Sequence, residues 1–285
     1  MRIQKAVITA AGPTQRSLPL QTLVDRDGTE KSALAIILEE AQSANIEDVC
    51  VIVHPGDEEA YAAALSTSAL RITYTPQDAP RGYGHALFCA REFVGDDPFL
   101  HFVSDHLYVG HGEKTCAQEL VTVAERESAA VSAVQATRES MLPYYGAVGG
   151  QRVPNRNDIY AVQHVVEKPT PTQAEQDLLV PGLRAGHYLC LFGMHSLTPT
   201  VMDLLAEDVE AAGDSQVNLA GALARLANKE RYLAFEVPGR RYNIGVKYGL
   251  LNAQLALALS GVDRMEVLTQ LVELLATREI TANAD

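Results

Sequence analysis

KAVITAAGPTQRSLP, residues 5–19, opens with a short apolar run, breaks through small residues and arrives at a cation. Alanine, valine and isoleucine in this run predict a buried strand, ended by Ala11-Gly12-Pro13. A tight turn after the first strand of an α/β unit sets backbone N–H groups near the carboxyl end of the sheet, where phosphates are commonly held. Arg16 could add a charge-matched fork there. The stretch is neither the dinucleotide motif G-x-G-x-x-G nor the P-loop G-x-x-x-x-G-K-[ST]. Thr14 stands where a second glycine would be, and no lysine follows directly. An ordinary surface turn after the first strand is the competing reading.

A length of 285 residues suits one large α/β domain, or one with a small appended unit, able to bury a core without staples. The boundaries expected are 1–260 for the main domain and 261–285 for a C-terminal helical extension. A net charge of −13 argues against a nucleic-acid surface, and it makes a local basic pocket containing Arg16, Lys168 and Lys247 stand out. Cys50, Cys89, Cys116 and Cys190 are widely spaced among apolar neighbours, which suits free thiols in a reducing cytoplasm better than disulfides or zinc. No apolar run approaches membrane-spanning length, and the N-terminus has no cleavable-signal layout.

Further along, Ser32 is placed to cap a helix reading ALAIILEEAQSAN, and residues 49–53 give the next buried strand. Helix at 57–65 and strand at 71–75 continue the β-α-β rhythm, so the expected fold is Rossmann-like: a mixed, mostly parallel sheet covered by helices. His54 follows a strand directly, where a structural role competes with a pocket role. In QDAPRGYGHALFCA, residues 77–90, Pro80, Gly82 and Gly84 fix a turn before a helix. Gln77 offers the paired donor and acceptor that can read a base edge, although a plain surface loop would look similar.

The apolar run 98–103 ends in Ser104-Asp105-His106. A carboxylate at that position in a parallel sheet points into the ligand crevice and could hold Mg²⁺ between phosphate oxygens; the alternative is that Asp105 caps the next segment. A helix over 113–127 and a strand over 129–135 follow. Aromatic and β-branched residues over 144–166 predict a small antiparallel insertion across the crevice, closed by Glu167-Lys168-Pro169. Glu167 can accept two sugar hydroxyls and Lys168 can reach a phosphate. Residues 183–192 read as a strand entered by Arg184-Ala185-Gly186-His187-Tyr188, and helices are expected at 198–210 and 217–227 with a strand at 232–237. Lys247 falls in the expected first turn of an alanine- and leucine-rich helix ending near Ser260, an unusual place for a cation unless an anion is present. The final helix, opened by Asp263, carries apolar residues at three- and four-residue intervals. Such a stripe packs on the domain or on another subunit, as in a homodimer or homotetramer.

Together these pieces resemble the sugar-1-phosphate nucleotidyltransferases, most closely the bacterial UTP–glucose-1-phosphate uridylyltransferase group, over residues 5–260. QDAPRGYGHALFCAREFVGDDPF (77–99) is the most specific stretch, supported by VVEKP (165–169), AGHY (185–188) and NIGVKYG (243–249). The resemblance implies attack of a sugar-1-phosphate oxygen on the α-phosphorus of UTP, with release of pyrophosphate. It implies that Gln77 and Gly82 recognise the uracil, that the Ala11-Gly12 backbone lies near base and ribose, and that Arg16 holds the triphosphate. By the same resemblance Asp105 would bind Mg²⁺, with Asn243 as the second metal position. Gly146, Glu167 and Gly186 would line the sugar pocket, while Lys168 and Lys247 would neutralise phosphate. His85 and His106 become positioning residues. Three departures stand out. Gly12-Pro13-Thr14-Gln15-Arg16 replaces G-x-G-T-R, the following P-K element is missing with no lysine before Lys31, and Asn243 stands where an aspartate is expected. His187 replaces a frequent arginine, and Gln216 lies near a commonly acidic position. A catalytically impaired protein that binds a nucleotide or sugar nucleotide is therefore the competing reading, and dTTP or CTP competes with UTP.

Overall fold

The computed structural model describes residues 1–13, 16–65 and 70–282. The chain runs β1 (Lys5–Thr9), β2 (Thr22–Val24), β3 (Glu30–Ser32), α1 (Ala33–Ser43), β4 (Asp48–Val53), α2 (Glu58–Ala64), β5 (Arg71–Pro76), α3 (Tyr83–Phe88), α4 (Arg91–Val94), β6 (Phe99–Val103), β7 (His106–Gly110), α5 (Cys116–Glu127), β8 (Ala130–Arg138), β9 (Ala147–Arg152), β10 (Ile159–Val166), α6 (Pro171–Asp177), β11 (His187–Leu197), α7 (Thr200–Ala212), α8 (Leu219–Lys229), β12 (Tyr232–Glu236), β13 (Gly239–Asn243), α9 (Gly249–Ser260) and α10 (Arg264–Ala282). Helix starts follow their side-chain signals. The Ser32 hydroxyl accepts the Ala35 N–H at 3.1 Å to open α1. Thr115 and Gln118 form a reciprocal capping box that opens α5 at Cys116, three residues later than the sequence suggests.

Nine strands join in the order β5-β4-β1-β6-β11-β8-β12-β10-β9. In β1 and β4 alternate side chains feed two cores: Ala6, Ile8, Val49 and Val51 face α1 and α5, whereas Val7, Cys50 and Ile52 face the side covered by α3, α7 and α8. That two-residue alternation buries a side chain on each face at every step, about 1.5–3 kcal/mol for each large aliphatic.

The expectation of a mostly parallel sheet is overturned. Pairs β4–β5, β1–β4, β1–β6 and β8–β12 run parallel, but β6–β11, β8–β11, β10–β12, β9–β10 and β9–β11 run antiparallel. The β9–β11 pairing closes β11, β8, β12, β10 and β9 into a barrel-like ring. Two causes are visible. Residues 153–158 form a short turn between β9 and β10, pinned by Val153 N–H donating to Ile159 O at 2.8 Å, and so short a link permits only antiparallel pairing. Strand β11 is long enough to serve two neighbourhoods: one edge follows β8 over residues 187–191 and 195–196, with a register shift between Leu191 and His195, while the other meets β9 at residues 189–190 and β6 at residues 194–197. Gly193 sits in that shift with φ +81°, and a side chain there would strike the His106 ring and Val103. No helix among the described residues is long and apolar enough to cross a membrane.

Candidate active site

A cavity of about 960 Å³ opens where β1, β5 and β6 end. Loop residues at these carboxyl ends are fixed by backbone bonds: Ala10 N–H donates to Ile52 O at 2.7 Å and Ser104 N–H to Thr9 O at 3.3 Å. The wall includes Ala11 and Gly12 after β1, Gln77 after β5, Gly82 at the start of α3, and Asp105 between β6 and β7. It also includes Gly146, Glu167, Lys168, Asn243 and Lys247, contributed by the second half of the chain. Ten residues singled out in the sequence thus share one cavity, while Arg16 and Gly186 lie outside its wall.

Each position has a local cause. Gly82 holds φ +94° and ψ 179°, and an added Cβ would lie 2.6 Å from Gln216 Oε1 and 2.7 Å from Val217 O. The loop around Gln216 therefore clamps the loop before α3, with Gly84 N–H donating to Val217 O at 2.9 Å. Strands β7 and β13 pair so that Asn243 faces His106, and Asp105 O accepts the Ile244 N–H at 2.8 Å, which draws Asp105 and Asn243 to one side of the cavity. Asn243 Oδ1 accepts the Gly245 N–H at 2.8 Å. A Cβ on Gly146 would stand 2.9 Å from Glu167 Oε2, so the two share a wall with no room for a side chain between them. Glu167 faces the open cavity, whose concave sides strip part of its hydration; this raises its carboxyl pKa, and the Lys168 ammonium opposes the rise.

The phosphate-side cations are arranged differently from expectation. Arg16 lies 3.2 Å from Asp57 Oδ1 and 3.0 Å from His54 Nδ1, half-exposed on the surface. Thr14 and Gln15, the positions of the altered loop, lie outside the described residues. Lys31 is enclosed by Asp25, Asp27 and Glu39 at 2.8, 2.7 and 2.7 Å, which pulls its pKa above the ordinary value and leaves it no free valence for phosphate. Lys247 precedes α9 rather than sitting in its first turn, because Tyr248 takes a left-handed conformation as the cap; the ammonium lies 5.1 Å over the Tyr248 ring. Gly186, at φ +69°, offers its carbonyl to Glu139 N–H at 2.9 Å in the loop before β11.

Several wall residues escaped sequence reading. Thr9, Tyr83, Tyr145 and His195 all face the cavity, beside His106, which the sequence marks as a positioning residue. His106 is buried with neither ring nitrogen hydrogen-bonded, and burial pushes its pKa down to about 4, so it is neutral near pH 7. Tyr145 stacks under the buried Arg241 guanidinium, 3.9 Å from ring centroid to Cζ. The signal available was the arginine in RRYN, whose burial no pattern reveals. Among the described residues, no group of three or more His, Cys, Asp or Glu side chains gathers as a metal cage.

Comparison with known proteins agrees with this geometry. The family model described as nucleotidyl transferase matches residues 5–258. The chain is 28% identical to UTP--glucose-1-phosphate uridylyltransferase of Streptococcus pneumoniae serotype 4, over 90% of this chain and 91% of that one. It is 26% identical to the protein of the same name from Bacillus subtilis, over 98% and 99%. Among solved structures, UDP-glucose pyrophosphorylase from Acinetobacter baumannii superposes with a TM-score of 0.75 at 24% identity, covering 95% of this chain and 99% of that one. A UDP-glucose pyrophosphorylase complexed with UDP-glucose gives 0.72 at 20% identity, covering 89% and 98%.

Proposed function

The chain belongs to the nucleotidyltransferase family, and from that premise we propose that it transfers the uridylyl group of UTP to glucose 1-phosphate, forming UDP-glucose and pyrophosphate. The observation that carries this reading is the single cavity shared by Gln77, Gly82, Asp105, Glu167, Lys168, Asn243 and Lys247. The relatives named for this reaction, matched along nearly their whole length, support the choice of substrates.

In this reading a sugar-phosphate oxygen attacks the α-phosphorus in line and pyrophosphate leaves. A phosphate nucleophile is already ionised near neutrality, so the chain has to align two anions and offset their charge rather than supply a base. Gln77, Gly82 and the Ala11-Gly12 backbone hold the base and ribose. Gly146 and Glu167 orient the sugar hydroxyls, and Lys168 and Lys247 face the phosphates. The donor set suits Mg²⁺, which is commonly held by one or two carboxylates with substrate phosphates completing the shell. Asp105 supplies the carboxylate, and Asn243 Oδ1 retains a second lone pair beside its bond to Gly245. Bound there, the ion would neutralise phosphate charge. Arg16 reaches the triphosphate by leaving an exposed ion pair, at a cost of about 1 kcal/mol or less.

We take residues 1–260 as the transferase unit and 261–285 as an extension, a division supported by the family match ending at 258. A cytoplasmic setting is supported by the free thiols of Cys50, Cys89, Cys116 and Cys190. One second reading has specific support: the sequestered Lys31, the paired Arg16 and the neutral Asn243 favour a binding protein with impaired turnover. Pyrophosphate release from UTP, glucose 1-phosphate and Mg²⁺ decides between them. Turnover that Asp105→Ala reduces by about 10²-fold or more is expected from loss of transition-state charge stabilisation. Saturable UTP binding with no pyrophosphate from wild type would select the second reading.

A further inference from the structure

Gln77 is almost wholly buried at the cavity wall, and its amide is not free to turn. One atom of the amide head lies 3.1 Å from Gly82 O. A carbonyl only accepts, so that atom is the NH₂ nitrogen. The same nitrogen lies 3.0 Å from His85 Nδ1. Both amide hydrogens are therefore used, one on Gly82 and one on His85, and His85 Nδ1 must be the unprotonated nitrogen of its ring. Burial, then the nearby Arg81 guanidinium, lowers the His85 pKa and so favours the neutral ring that this arrangement requires. Cys89 Sγ, 4.0 Å from Nδ1, is a further weak donor towards the same lone pair. Gln77 Oε1 has no hydrogen-bond partner among the described residues.

We propose that His85 is a positioning residue that fixes the Gln77 amide with its oxygen towards the cavity, so that the site takes a base bearing an imide N–H and discriminates against cytosine. The inference rests on the assignment of this cavity to a pyrimidine nucleotide. Uracil and thymine carry a hydrogen on ring nitrogen N3, flanked by two carbonyls, and that N–H donates to an acceptor. Cytosine presents a bare lone pair at N3, and a fixed carbonyl oxygen opposite it is repelled. Were the amide free to flip, Gln77 would read either base, since it has one donor end and one acceptor end. Discrimination therefore lies in what prevents the flip: Gly82 O, which has no hydrogen to offer, would face a carbonyl oxygen in the flipped state, while His85 Nδ1 anchors the second amide hydrogen in the state observed. His85 touches the amide and not the base, so it acts on specificity through Gln77.

The test compares dissociation constants for UTP, CTP and inorganic tripolyphosphate on the full-length chain and on His85→Leu and His85→Asn. Wild type is expected to prefer UTP to CTP. In His85→Leu the amide loses its second anchor, and UTP affinity is expected to fall about tenfold, the loss of roughly one well-placed hydrogen bond. CTP affinity holds or improves and tripolyphosphate affinity holds. His85→Asn, whose side-chain oxygen can stand in for Nδ1, is expected to retain the wild-type UTP-to-CTP ratio. Two results overturn the inference alone: an unchanged ratio in His85→Leu, or an equal loss of all three ligands, which would mark a merely structural role. A wild-type chain that binds tripolyphosphate but does not distinguish UTP from CTP would instead remove the base-reading assignment, and this inference with it.

Discussion

Gly82 has its backbone at φ +94° and ψ 179°, a region essentially restricted to glycine, and the space its missing side chain would take is filled by the Gln216 amide and the Val217 carbonyl. A methyl group there meets a backbone atom 2.7 Å away that cannot swing aside as a side chain would. Gly82→Ala is therefore expected to cost about 1–3 kcal/mol in urea denaturation. Because Gly82 O also holds the Gln77 amide, the same variant should lose UTP affinity in a titration. Full retention of both properties would show that the loop before α3 relaxes freely. At this scale the sequence was informative where chemistry and position coincide. Gln77 and Glu167 follow a strand directly and Asp105 lies two residues past one, and a side chain just past a strand end has few places to go. It was uninformative for Arg16 and Lys31, whose long side chains take whichever carboxylate lies nearest in three dimensions. Asp57 belongs to another unit of the fold, and only the folded chain reveals it as the Arg16 partner.

Strands β6 and β11 bring His101 opposite His195, with ring centroids 5.7 Å apart and both side chains buried. Burial lowers both pKa values, that of His195 to about 4 and that of His101 well below its ordinary value, so both rings are neutral in the fold. His195 Nδ1 lies 2.6 Å from Ser132 Oγ, which in turn meets the Tyr232 hydroxyl at 2.5 Å; protonation must disturb a buried chain rather than a surface. A histidine whose folded pKa is depressed binds its proton more readily when unfolded. Its contribution to stability is complete above the unfolded value near 6.5 and is lost as pH falls towards the folded value. The expected result is a steep drop in Tm between pH 6.5 and about 4, reflecting a stability loss on the order of a few kcal/mol from His195, with His101 adding in the same direction. In His195→Gln that drop should be visibly shallower, and identical slopes in the two proteins would show that other groups govern acid unfolding. Elements themselves were legible where a local signal fixes them, as Ser32 does for α1. Strand direction was not, since it depends on how β11 divides its length between β6, β8 and β9. The β-α-β rhythm is parallel through β1, β4, β5 and β6, the small β2–β3 hairpin apart, and it does not extend into the second half of the chain.

For the molecule as a whole, α10 presents an exposed apolar row that the described residues do not cover. Met265, Leu268, Val272 and Leu275 recur at intervals of three, four and three, the seam spacing of paired helices, and they are 70, 41, 59 and 66% exposed. Val262 and Leu251, at 72 and 55%, extend the row back to α9. We propose that this seam joins two copies in a homodimer, or two pairs in a homotetramer, and the partition between chains follows from the charges. Each copy carries −13, so two copies repel at long range while the seam attracts at contact. Raising salt from about 0.01 M to 0.15 M shortens the screening length from about 30 Å to about 8 Å and removes the repulsion while leaving apolar contact intact. Association should thus tighten with salt, the reverse of a charge-paired interface. Light scattering across that salt series is expected to show a mass of at least twice the chain's, and Met265→Lys with Leu275→Lys should return it to the single-chain value. The family match ends at residue 258, before the seam, so the doubly substituted chain should still bind UTP with wild-type affinity. A monomeric wild type at every salt concentration would refute the proposed seam, and a double variant that lost UTP binding would show that α10 supports the cavity instead.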